Sequence, residues 1–152
     1  MTSNQAPTHV FNAYGEKDLP VLAARLRRCI GTHGKLALQG TLGAGKTTLL
    51  KALGTEMGLH EQIDSPTFTI VQIYGHPPQV YHIDCYRLEQ PEELFELGFE
   101  DFFYDTQAAV WLEWPERIAA YLTDHFHWLH IQVREDERRD YQLFSPANLA
   151  QR

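Results

Sequence analysis

Apolar residues recur at helical spacing early in the chain. Leu19, Leu22, Ala23, Leu26 and Ile30 fall on one face of residues 16–30. Pro20 sits near the first turn, where a missing N–H does little harm, and Gly31 and Gly34 stop the run. A helix is therefore predicted over 16–30, preceded by a short edge strand in THVFNA (8–13). KLALQ (35–39) predicts a buried strand and KTTLLKALGTEMG (46–58) the helix that follows, ended by Gly58. TFTIVQIY (67–74) and QVYHID (79–84) are β-rich runs joined by Gly75, His76, Pro77 and Pro78. They predict a hairpin, and hence a mixed sheet. QPEELFELGFEDFFY (90–104) predicts a helix with Pro91 at its first position and a break at Gly98. AAVWLEW (108–114) is another buried strand, and PERIAAYL (115–122) a short helix. HWLHIQV (127–133) and RDYQLFS (139–145) flank REDER as a closing hairpin. With no repeat, linker or low-complexity segment, residues 1–152 are expected to form one α/β domain with a mixed central sheet flanked by helices.

Composition sharpens this little. At 152 residues, 43% hydrophobic and 22% charged, the chain is an ordinary globular protein able to bury its own core. Cys29 and Cys85 form neither a disulfide framework nor a metal pattern and are read as reduced, packed thiols. No apolar run approaches the roughly 20 residues that span a bilayer. MTSNQAPTHV has no basic head and no apolar centre, so a cytoplasmic protein without a membrane partner is expected.

The distribution of charge says more than its net value of −7. Residues 52–133 hold fourteen acids against two basic side chains, Arg87 and Arg117. Nucleic acids are gripped largely by neutralising phosphates with Lys and Arg, so this middle is a poor docking surface for DNA or RNA. Any RNA is expected to be held by a partner protein.

The chemistry is concentrated in GTLGAGKTT. Gly40, Gly45, Lys46 and Thr47 fit G-x-x-x-x-G-K-[ST], with Thr41, Leu42, Gly43 and Ala44 between the outer glycines and Thr48 just after. Glycines let the backbone turn its N–H groups inward onto phosphate oxygens, and the following helix adds the positive end of its dipole. Lys46 would reach the β- and γ-phosphates, and the Thr47 hydroxyl a Mg²⁺ ion. A strand before the loop and a helix after it is the context this motif requires.

Magnesium in such sites needs oxygen ligands, including one or two carboxylates. Asp84 and Glu113 close predicted buried strands, at the edge where α/β sheets bind ligands. The residues alone do not decide which acid touches metal and which orients water. In DSPTFT (64–69), Ser65 and Thr67 precede a strand, and the segment is read equally as one that orders against a γ-phosphate or as a capped turn. Trp114 follows Glu113 and either packs over a nucleotide or fills the core.

No N-K-x-D base-reading motif is present, and Asp84 is followed by Cys85, Tyr86 and Arg87 rather than the D-x-x-G of a GTPase switch, which argues against a GTPase. A small-molecule kinase, the alternative reading, needs an arginine-rich lid over the transferring phosphate, and residues 52–133 offer only Arg87 and Arg117. That favours a weak ATPase completed by a partner over a kinase or a nucleotide-sensing module with negligible turnover.

The cradle, SPTFT, HIDCYRL, PEELFELGFEDFF and LEWPE, in that order over about residues 16–140, resemble the TsaE (YjeE) family. These are small P-loop ATPases of tRNA threonylcarbamoyladenosine biosynthesis. The resemblance implies a P-loop fold that binds ATP with Mg²⁺ and works beside the TsaB and TsaD proteins, with tRNA reached only through that complex. It implies that ATP turnover resets the transferase. By position, Gly40 to Thr48 match the nucleotide cradle, Thr47 and Glu113 the magnesium positions, and Asp84 an acid needed for hydrolysis. Thr67 matches the switch-like segment and Trp114 the tryptophan near the nucleotide. A residue near the start of the first helix is expected to touch the nucleotide, and Arg138 is read as a solvated turn arginine rather than a phosphate contact. Thr41 stands where the family often has Asp, and Gln90 where it often has an Asp helix cap; neither removes a chemical group from the site.

Overall fold

The Leu-Ala-Leu centre of β2 (Lys35–Gln39) is buried on both faces, because parallel neighbours and helices leave it no solvent side. This computed structural model describes residues 5–60, 62–64, 70–122 and 124–146. Seven strands form one mixed sheet in the order β1-β7-β6-β2-β5-β4-β3. They are β1 (His9–Tyr14), β2, β3 (Val71–Tyr74), β4 (Val80–Asp84), β5 (Ala109–Glu113), β6 (Phe126–Val133) and β7 (Arg139–Phe144). β4, β5, β2 and β6 run parallel. The β3–β4 and β6–β7 hairpins are antiparallel, as the turn residues predict, and β1 pairs antiparallel with β7.

Residues alternate between the faces with period two, which sorts the core into two layers. Leu36, Leu38, Trp111 and Leu129 pack under α1 (Leu19–Ile30) and α2 (Lys46–Glu56), where Leu22, Leu26, Leu49 and Leu50 are fully buried. Each such side chain contributes about 2 kcal/mol through apolar area removed from water. On the other face Ala37, Ile83, Val110 and Leu112 pack under α3 (Glu92–Glu96) and α4 (Phe99–Tyr104). Gly98, at φ +73°, separates those two short helices where the sequence predicts a break.

Three elements differ from expectation. The run 16–30 opens with a 3₁₀ turn, Glu16–Asp18, before α1 begins. PERIAAYL forms two 3₁₀ turns, Pro115–Arg117 and Ala119–Tyr121, instead of a helix; Ile118 between them has ψ +23°, off the helical path, and its side chain is buried in the second core layer. α2 ends at Glu56, two residues before the expected stop. The first part of the strand predicted over 67–74, with Ser65 and Thr67, lies outside the described residues.

Candidate functional site

Parallel pairing brings the C-terminal ends of β2, β4 and β5 to one edge. Leu38 pairs with Glu113, and Glu113 with Asp84. The loop Gly40–Gly45 rises from this edge and α2 starts at Lys46. Gly45 holds φ +97° as the cap of α2, and Gly43 φ +81°, backbone that side chains disfavour. At Gly40 a Cβ would stand 3.0 Å from the Cβ of Ala44 and 3.2 Å from the Ile131 carbonyl oxygen, so the loop closes tightly only with glycine there. Among the described residues no side chain caps α2. Its first N–H groups are therefore available to an anion, at the positive end of the helix dipole.

Lys46 is nearly buried, and its Nζ donates to the carbonyls of Gly40 (2.7 Å) and Thr41 (3.1 Å). The same ammonium lies 4.1 Å from the centroid of the Trp114 ring. Burial pushes the Lys46 pKa down, opposed by Glu113, Glu116 and Asp84. An ammonium held on its own loop's carbonyls occupies the place where an incoming phosphate would supply better acceptors.

Glu113 is buried, and both of its oxygens have partners. Thr47 Oγ1 donates to Oε1 across 3.4 Å, a weak bond. His82 Nε2 lies 2.6 Å from Oε2. Asp84 sits beside Glu113 in register, half-buried, with Oδ1 accepting from the Tyr86 N–H at 2.9 Å. Trp114 adopts the left-handed region at φ +58° and packs its ring 4.9 Å from that of Tyr86.

The sequence-predicted residues thus divide. Lys46, Thr47, Glu113 and Trp114 converge, and Asp84 borders them. Gly40, Thr41, Gly43, Ala44 and Gly45 form the loop, whose Leu42 side chain projects into solvent. Thr48 turns toward a neighbouring cleft, which Gly15, Glu16, Leu19, Arg139 and Tyr141 also line. Arg138 pairs with Asp136 at 2.6 Å in the turn, as a solvated arginine should.

Sequence reasoning missed four residues. Arg139, not Arg138, meets the cradle, its Nε donating to the Ala44 carbonyl at 3.2 Å. The signal was strand period two, which puts Arg139 and Tyr141 on one face. Gly15 and Glu16, just before the first helix, line the cleft beside Thr48. His82 stands one strand period before Asp84, but nothing in one sequence reveals that it meets Glu113.

Among the described residues no three His, Cys, Asp or Glu side chains cluster as a metal site. The donors present fit magnesium of the phosphate-dependent kind: a hydroxyl and a carboxylate, with phosphate and water completing the shell.

The family described as "Threonylcarbamoyl adenosine biosynthesis protein TsaE" matches residues 14–141. The tRNA threonylcarbamoyladenosine biosynthesis protein TsaE of Treponema pallidum is 38% identical over 105 residues, covering 69% of this chain and 77% of its own. That of Rickettsia prowazekii is 38% identical over 133 residues, covering 86% and 90%. The crystal structure of Bacillus subtilis YdiB shares the fold with a TM-score of 0.74 at 23% identity, over 98% of this chain and 93% of its own. This chain belongs to the TsaE family of threonylcarbamoyl adenosine biosynthesis proteins.

Proposed function

We propose that this protein binds ATP with Mg²⁺ in the Gly40–Thr48 cradle and hydrolyses it slowly, as the ATPase of the tRNA threonylcarbamoyladenosine machinery. The observation that carries the reading is the Lys46 ammonium resting on the Gly40 and Thr41 carbonyls, at the uncapped start of α2 and beside the Thr47–Glu113 pair. Phosphate oxygens replace those carbonyls, and the loop and helix N–H groups fix the triphosphate. The cleft beside Thr48 and Arg139 receives the nucleoside end. Thr47 and Glu113 are the residues that would hold magnesium, which when bound offsets phosphate charge in the transition state. Asp84 orients the attacking water. Thr67 keeps its assignment to a phosphate-responsive segment on the family resemblance alone.

The partners are the TsaB and TsaD proteins, whose complex turnover resets. Acidity over 52–133 suits protein docking better than RNA contact, so tRNA is met through the complex. No helix among the described residues is long and apolar enough to cross a membrane, and we place the work in the cytoplasm with the tRNA. The test is phosphate release from ATP, alone and with TsaB and TsaD from the same source. Slow basal release, raised by the pair, is expected. Absence of ATP binding, absence of stimulation, or γ-phosphate transferred to a small-molecule acceptor contradicts the proposal.

A further inference from the structure

We propose that His82 is a positioning residue that aims the Glu113 carboxylate at the metal; the inference rests on the magnesium reading above. His82 is fully buried on β4, and Trp111 faces it in register on β5. Period-two alternation puts Glu113 on the same sheet face as Trp111, diagonal to the imidazole. That geometry brings Nε2 to 2.6 Å from Oε2. A carboxylate only accepts, so Nε2 carries the proton. Nδ1 has no partner among the described residues and takes the lone pair of that tautomer. Tyr74 stacks loosely beside the ring, centroids 6.4 Å apart and planes inclined by 29°, and its hydroxyl donates to Gln72 Oε1 at 2.6 Å.

The two oxygens of Glu113 are thereby made unequal. Oε2 is held by a short bond from a side chain with no access to water. Among the described residues Oε1 has only the long contact from Thr47, at the start of α2. Rotation of the carboxylate out of the site would strip the His82 ring of its one hydrogen-bond partner among the described residues, which buried polar groups resist. A histidine that fixes a metal-facing carboxylate acts on affinity without touching the metal, and loss of such partners typically weakens metal binding by about 10–100-fold.

The test compares wild type, His82→Phe and His82→Gln, whose amide nitrogen reproduces Nε2. Each is titrated with a non-hydrolysable ATP analogue in EDTA and in magnesium, and the ratio of the two affinities is the metal-dependent gain. His82→Phe is expected to lose at least about ten-fold of that gain while metal-free affinity stays within about two-fold. His82→Gln should recover most of it. An unchanged gain in His82→Phe, or metal-free affinity falling in parallel, overturns the positioning role while leaving the nucleotide site intact. A wild type with no magnesium-dependent gain overturns both readings together. Should the variants fail to fold, imidazole ¹⁵N NMR of the native protein decides. Nε2 protonated and Nδ1 bare supports the assignment, and the opposite tautomer overturns it.

Discussion

The ammonium of Lys46 stands 4.1 Å from the centroid of the Trp114 ring, joining the first residue of α2 to the residue after β5. A desolvated cation over an indole face is stabilising by about 1–2 kcal/mol. The pair therefore forms a resting arrangement, and a phosphate that replaces the Gly40 and Thr41 carbonyls would draw the ammonium away from the ring. Adding magnesium nucleotide should change the tryptophan emission as Lys46 moves off the ring. The change should vanish in Trp114→Phe, although Trp111 and Trp128 remain. A signal that survives the substitution would place its source elsewhere.

Thr47 and Glu113 meet through Oγ1 and Oε1, whereas Asp84 accepts from the Tyr86 N–H. Thr47→Ala and Glu113→Gln should each weaken magnesium-dependent nucleotide binding by about ten-fold or more, the loss of one charge-assisted contact. Asp84→Ala should leave that affinity within a few-fold and chiefly lower phosphate release. Fluorescent-nucleotide titration and a phosphate assay on the same preparations separate the two. The reverse ranking exchanges the roles of the acids.

Two leucines near the cradle should behave oppositely on truncation. Leu50 is fully buried between α2 and the sheet, so Leu50→Ala should cost about 2–5 kcal/mol in urea unfolding. Leu42, 75% exposed at the tip of the loop, should change stability by less than about 0.5 kcal/mol when truncated. Equal losses would mean that the loop tip packs against something the fold does not show.

His127 on β6 is buried, with neither ring nitrogen hydrogen-bonded among the described residues. Burial lowers its pKa from 6.5, partly opposed by the Lys35 backbone. The unfolded chain therefore takes up a proton at a higher pH than the folded one. The sign follows: stability is fully present above the unfolded value and falls as pH drops below about 6.5 toward the folded pKa. Urea midpoints between pH 7.5 and 5 should decline for wild type and flatten for His127→Phe. Parallel curves would assign the acid sensitivity to other groups.

The parallel strands and the cradle helix were legible because their signals are local. β2 and β5 are short apolar runs, α2 follows a glycine loop, and turn residues mark both hairpins. Strand-end acids could be named from position alone, since parallel strands deliver their ends to one edge. The site's cross-strand contacts were not legible. The bond from His82 to Glu113 and the reach of Arg139 to Ala44 depend on register and strand order, which one sequence does not contain. The segment 115–122 misled because apolar spacing resembled a helix, whereas burial of Ile118 in the second core layer breaks it into two turns.

Calorimetric titration of the folded protein with a non-hydrolysable ATP analogue and magnesium, in the presence of TsaB and TsaD, bears most directly on the cradle. Wild type should bind one equivalent, and Lys46→Ala should bind at least ten-fold more weakly with its unfolding midpoint little changed. Equal affinities, or no binding heat from wild type, would contradict the assignment of this loop as a triphosphate site.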